Sequence, residues 1–450
     1  MEHNPEAVGS IAKTPTWGHL LKFTLPTILS MLIMSTFSIV DGIFVSRLID
    51  PIALAPVSIV FPFLALVMSI GFMLGVGGNA MIARKIGAGM EVEGRENFSM
   101  IVVVAIIISI IITLFGILLP EFILGVLGAD EFLFDMSFEY MRPLLYFMPM
   151  IVLGMVFQQF LITAGKAHYS TFTSLFAGVV SASLNLLFIL VLDMGISGAA
   201  LATSIAYTLP ALVGLTYFSK KRSGPLYFVR PRFDFRALGR TCINGASEMV
   251  TMLAVSITSV LMNNVLMGIE GPEAVVAAGI MFGGMGIFTA LFIGYSSGVA
   301  PIVSYNFGKG DTDNLKKAFS NSLIAISLLS SASAVFAFLA ANLLISIYDV
   351  PMGSNIHHMA LTGIRFLAGG FIFMGFNSFS SMFFTALNNG LVSSIISLFR
   401  TLVFVVIAFM VLPSLFGLNG AWAAIPSAEL LGISLTVFFF IKMKNKYNYA

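Results

Sequence analysis

Asp41, Glu248 and Glu429 are the only acidic residues set inside the long apolar stretches of this chain. Burying an ionisable group in an apolar layer costs about 3 kcal/mol or more, so each is a candidate functional site. Asp41 lies 19 residues beyond Lys22, roughly 28 Å of helical rise, and Asn185 lies 16 residues beyond Tyr169, roughly 24 Å. The two therefore fall at one depth. Ser181 precedes Asn185 by one helical turn, and Ser38 and Met34 precede Asp41 by one and two turns on the same face. A carboxylate with amide and hydroxyl neighbours suits a proton or a sodium ion. The alternative is an Asp41 at the outer interface, facing water.

Glu248 and Glu429 pose the same choice in the second half. Either suits a coupling ion or a drug cation, with the flexible Met and aromatic side chains of such a chain supplying apolar contacts. The competing readings are a Glu248 satisfied by Arg240 or Arg236, and a Glu429 hydrogen-bonded between helices. Gln158, Gln159, Asn263, Asn264 and Asn377 are also set in apolar stretches, where an amide commonly bonds a neighbouring helix. Of these, Gln158 joins Met34, Ser38, Glu248 and Glu429 as a substrate-contact candidate. Pro26, about four turns below Asp41, removes a backbone hydrogen bond and predicts a kink, either fixed or responsive to the charge on Asp41.

Enzyme motifs lack their context. Gly294-Tyr295-Ser296-Ser297-Gly298 has the spacing of a hydrolase elbow but sits inside an apolar run, not on a strand-to-helix turn. Gly308-Lys309-Gly310 lacks the spacing and hydroxyl of a phosphate loop. His357 and His358 are adjacent and point to different faces, and Asp311 and Asp313 read as helix-start residues. No metal site is assigned apart from a sodium ion at Asp41 and Asn185, and no cofactor beyond a coupling sodium ion or proton.

The elements that must position these residues are membrane helices. The chain has 450 residues, 58% hydrophobic and only 10% charged, with a mean hydropathy of +0.99. Soluble proteins carry about 25% charged residues, so this composition belongs in a bilayer. Uncharged runs long enough to cross about 30 Å of hydrocarbon recur at 20–46, 53–82, 98–119, 140–165, 169–192, 196–219, 240–268, 274–305, 316–347, 360–387, 391–413 and 418–441. The fold class expected is an all-α polytopic membrane protein of about twelve transmembrane helices. The single Cys242 excludes a disulfide framework, and a net charge of +2 gives no reason to expect nucleic acid. The polar first 16 residues do not read as a cleavable signal.

The second half repeats the first. At a shift of 221, Pro51, Ile59, Phe61, Gly77, Gly87 and Gly89 meet Pro272, Ile280, Phe282, Gly298, Gly308 and Gly310. At a shift of 222, Thr163, Ala164, Gly195, Gly198 and Ala199 meet Thr385, Ala386, Gly417, Gly420 and Ala421. Six crossings per repeat give both halves one orientation, so the pseudo-two-fold axis runs along the membrane normal. The expected domains are a six-helix bundle at 1–219, a basic linker at 220–239 and a second bundle at 240–450. About 19 of the 23 basic residues collect in one set of loops and ends, and the opposite loops collect acids. That bias predicts a multi-pass protein of the cell membrane with both termini and the linker cytoplasmic.

Several of these residues resemble a known family. Pro26, the run Val40-Asp41-Gly42-Ile43-Phe44-Val45-Ser46-Arg47-Leu48 and Ala53-Leu54-Ala55 resemble the first-span signature of multidrug and toxic compound extrusion (MATE) transporters. The run from Gly77 to Gly89 is similar to that family's pattern at the end of span two. Gly195-Ile196-Ser197-Gly198-Ala199-Ala200-Leu201-Ala202-Thr203 matches its start of span six, and Gly245-Ala246-Ser247-Glu248 leans toward the MepA-like branch. The resemblance implies two six-helix bundles and antiport of organic cations against sodium ions or protons. It gives Asp41 the coupling cation and Thr203 a hydroxyl near that site. One departure matters: many members have Asn and Asp where this chain has Ser181 and Asn185, so the acid beside Asp41 is missing. Glu248 is then the candidate to compensate.

The function expected is secondary active efflux of amphipathic organic cations by alternating access between two bundles. The partners are small organic cations and membrane lipids, with the chain acting as a monomer. A flippase for lipid-linked oligosaccharide or lipid is the runner-up; it calls for extra spans and a cluster of intramembrane Arg or Lys that this sequence lacks.

Overall fold

A computed structural model describes residues 9–49, 54–129, 131–220, 224–348 and 350–450; within that set the side chains of 9–10, 37–47, 54 and 131–132 lie outside the description. The described residues form helices and no strand. In lipid a backbone N–H or C=O has no water to bond, and a helix satisfies nearly all of its own.

The first half comprises α1 (Trp17–Leu48), α2 (Leu54–Gly87), α3 (Glu91–Leu118), the short α4 (Pro120–Val126), α5 (Glu131–Thr163), α6 (Ala167–Asn185) and α7 (Gly195–Phe218). The second half repeats this order as α8 (Phe235–Ile269), α9 (Pro272–Lys309), α10 (Thr312–Leu339), the short α11 (Ala341–Ser346), α12 (Asn355–Ala386), α13 (Gly390–Leu398) and α14 (Phe404–Tyr447). Both α6 and α13 run on into a π-helical stretch, Leu186–Val191 and Phe399–Val403. The last helix is broken at Gly417, where φ is 56° and ψ is −134°. Gly195, at the same place in the first copy, also has φ 56°. Only glycine enters that region without strain. The break separates spans eleven and twelve, so the described residues form two bundles of six crossings.

Packing obeys the repeat. In the first bundle α5 packs on α7, α2 on α5 and α1 on α6; in the second α12 packs on α14, α9 on α12 and α8 on α13. The bundles meet through the pseudo-equivalent pairs α2–α8 and α9–α1, and through α2 against α9. Glycines set these crossings. A Cβ on Gly77 would strike the Thr241 carbonyl, one on Gly245 the Met73 carbonyl, one on Gly294 the Ile28 backbone and one on Gly308 the Arg84 carbonyl. Helix axes approach this closely only where side chains are absent.

The second bundle starts earlier than the sequence suggests. Asp234 caps α8, accepting from the N–H groups of Arg236 and Ala237, so residues 235–239, Arg236 among them, are helical and not linker residues. The Ala237 N–H holds the Asp234 carboxyl below its usual range. The preceding strap is tied to α3: the Arg95 Nε donates to Pro225 O at 3.0 Å, and Val229 N donates to Ser99 Oγ at 3.0 Å.

Burial is lopsided. Residues 74–83, 151–164, 294–306 and 377–387 are buried on every face, and all lie toward the end of the bundles that carries the strap. Across this sealed end Asn388 Nδ2 donates to Ala80 O at 3.3 Å, and the Arg84 guanidinium lies 5.1 Å from the centre of the Phe307 ring. Asn321 Nδ2 donates to Pro15 O at 2.8 Å, pinning the segment before α1 to the opposite bundle. The halves of α2 and α9 toward the other end alternate between buried and partly exposed positions.

Candidate functional site

The clearest convergence of polar groups lies in the second bundle, between α8, α9, α12 and the π-helical stretch after α13. Glu248 projects from α8, 13 residues beyond Phe235, which is about 20 Å into the helix. It is 7% exposed. Arg236 and Arg240 lie too far back along α8 to reach it, and Arg400 is the base that faces it. Glu248, Thr251, Ile293, Ser296, Ser378, Ser381, Met382 and Arg400 enclose one small cavity. The free space for the centre of a water-sized body is about 10 Å³, room for roughly one water or one small cation.

Arg400 forms its ion pair with a different acid. Its Nη1 donates to Glu429 Oε1 at 2.9 Å, and both side chains are almost fully enclosed. The second carboxylate oxygen of Glu429 accepts from Asn377 Nδ2 at 2.7 Å, and Thr436 Oγ1 donates to Asn377 Oδ1 at 2.8 Å. Glu429 is thus saturated by a charge and an amide, and the structure gives it no opening toward a substrate. Among the described residues Glu248 accepts no hydrogen bond, and Arg400 Nε has no partner. Two carboxylates face one guanidinium, which leaves one negative charge for a cation or proton to neutralise.

A hydroxyl network backs the cavity. Ser381 Oγ bonds Ser393 Oγ at 2.9 Å and Ser397 Oγ at 2.8 Å; Ser393 Oγ bonds Thr385 Oγ1 at 2.7 Å, and Thr385 Oγ1 reaches Ser247 Oγ at 3.3 Å. These bonds tie α12, α13 and α8 together. Hydroxyl and carboxylate oxygens are ligands for hard cations and relays for protons.

The first bundle resolves less. Asp41 and Ser38 are in α1, but their side chains lie outside the described residues. Ser181 and Asn185 on α6 and Thr203 on α7 are buried, and each takes part in an interaction. Near the start of α1, Thr171 Oγ1 donates to the Pro26 carbonyl, and Ser30 Oγ bonds Ser174 Oγ at 2.8 Å and Ser170 Oγ at 3.2 Å. The chain at Pro26 is therefore pinned to α6. Of the substrate-contact candidates, Met34 packs against the core from α1, and Gln158 lies in the sealed half of α5 with its Oε1 unpartnered. Neither lines the Glu248 cavity.

The MatE family model matches the chain twice, over residues 26–187 and 248–410. The chain belongs to the MatE family. The protein named "Multidrug export protein MepA" from Staphylococcus saprophyticus is 23% identical over 438 residues, covering 95% of this chain and 94% of that protein. The MepA of Staphylococcus haemolyticus is 22% identical over 433 residues, with the same coverage. Among solved structures, the outward-facing conformation of a multidrug resistance MATE family transporter of the MOP superfamily superposes with a TM-score of 0.91 at 21% identity, covering 99% of both chains.

The two matches to the MatE model begin at Pro26 and Glu248. Asn377 was expected to bond a neighbouring helix and does so; the residues missed in the sequence are Arg400, Thr251, Ser296, Ser378 and Ser381. Arg400 carried a signal, as the one base inside the eleventh span; the serines and threonine carried none, because hydroxyls are common in any membrane helix.

Proposed function

We propose that this MatE chain is a secondary active exporter of amphipathic organic cations, driven by the inward movement of sodium ions or protons. The observation that carries the reading is Glu248. It is a buried carboxylate with no protein hydrogen bond, beside a hydroxyl-lined space for one small ion, within a two-bundle fold sealed at one end. Such a group must be neutralised, and a sodium ion or proton does so at a site of this size. Asp41, with Ser181, Asn185 and Thr203, is the corresponding coupling site of the first bundle. The MepA relatives support export of drugs as the transported chemistry.

The charge bias of the loops supports a cell-membrane location with termini and strap cytoplasmic. On that orientation the sealed end faces the cytoplasm, and the arrangement is the outward-open limb of the cycle. Loading of the coupling ion from outside then precedes opening of the inner end, since both sites bias one equilibrium between the bundles.

Purified protein in liposomes loaded with ethidium tests this, with sodium and proton gradients imposed separately. Dye movement against its own gradient under one of them is the expected result. Movement under neither gradient would overturn the antiport reading.

A further inference from the structure

Arg400 occupies an unusual place. It is a fully enclosed guanidinium, bonded to one carboxylate, lining the cavity of a second, with its Nε unpartnered. It stands on the π-helical stretch Phe399–Val403, and such turns recur at functional sites because they widen the helix and re-aim a side chain. The carboxylate it now holds does not depend on it alone, because Asn377 donates to both the Glu429 side chain and the Glu429 carbonyl, at 2.7 and 2.8 Å. Glu248 has no such second donor. If the cavity empties of its ion, the nearest cation able to neutralise Glu248 is Arg400.

We infer that Arg400 is a tethered cation that competes with the coupling ion for Glu248, pairing with Glu429 when the ion is bound and turning to Glu248 when it leaves. This rests on the reading of Glu248 as a coupling site. It has two consequences. The site of two carboxylates and one guanidinium takes one monovalent cation, not two. Release of that ion is assisted, because the guanidinium replaces it and no bare carboxylate is left in the bundle. Arg400 is thus a positioning and selectivity residue that never contacts the exported drug.

The test replaces the pair by uncharged side chains of similar size, Arg400→Met with Glu429→Gln, so that neither member of the pair is left as an unpaired charge and no large cavity results. In ethidium-loaded proteoliposomes, the external concentration of coupling ion giving half-maximal efflux should fall about tenfold or more, since the competing positive charge is gone. The maximal rate should fall as well, because ion release slows. A purely structural ion pair predicts an unchanged half-saturating concentration, and that result, or a rise, overturns the inference. Arg400→Lys is the second variant. A point charge on a shorter reach keeps the ion pair but competes poorly, so the half-saturating concentration should fall severalfold; an unchanged value would again overturn it. Glu248→Gln separates the two readings. If Glu248→Gln retains wild-type ion dependence, the coupling site itself is misassigned. If it loses ion dependence while both Arg400 variants behave as wild type, only the tethered-cation role fails.

Discussion

Glu248 and Arg400 line one cavity yet form no ion pair, because the guanidinium is committed to Glu429 at 2.9 Å. This arrangement separates two acids that look alike in sequence. Glu429 is a saturated partner inside a helix–helix contact, whereas Glu248 is the acid with an unmet charge. Different substitutions should therefore do different things.

Glu429→Gln leaves Arg400 as an unpaired charge in the bundle core. Removing one partner of a buried pair costs about 3–5 kcal/mol, so thermal unfolding in detergent should begin many degrees lower. Adding Arg400→Met should restore most of that loss. A Glu429→Gln protein as stable as wild type would contradict the enclosed pair.

Glu248→Gln should leave thermal stability within about 1 kcal/mol of wild type, since the side chain makes no hydrogen bond to lose. Ion-driven efflux should fall at least about tenfold. Equal ion dependence in purified variant and wild type would return Glu248 to a structural role.

Asp41→Asn should abolish coupled export while folded yield on size-exclusion chromatography stays unchanged. The amide keeps the shape of the side chain but carries no charge to hold a cation and takes up no proton. Drug efflux at wild-type rates in Asp41→Asn would remove the first-bundle site from the mechanism.

Gly77→Ala places a methyl group against the Thr241 carbonyl at the α2–α8 crossing, where neither backbone can yield without parting the helices. The sealed end should loosen, and Cys242, beside Thr241 and the chain's single thiol, should react faster with a maleimide. An unaltered labelling rate together with unaltered transport would show that the crossing tolerates the methyl.

The orientation is checked by Pro225→Cys in a Cys242→Ala background. Position 225 lies in the strap that bonds Arg95. A membrane-impermeant thiol reagent should label it in inverted vesicles and leave it unlabelled in intact cells. The opposite pattern would invert the topology and assign the sealed end to the outside.

Sequence alone determined the architecture, for a physical reason. Apolar runs must become helices in lipid, and a repeat at 221–222 residues forces two like bundles, down to the matching positive φ at Gly195 and Gly417. It also marked Glu248 and Glu429, because a buried acid is conspicuous wherever it folds. It could not rank them. Whether an acid is satisfied depends on groups that are distant in the chain: Arg400 is 29 residues from Glu429, Asn377 is 52, and all three meet only after α12 packs on α14. That Arg400 is the base at the Glu248 cavity was equally invisible, since the two lie 152 residues apart and share that space only once the second bundle packs. Charge type is written along the chain, but charge compensation is a property of the packed bundle.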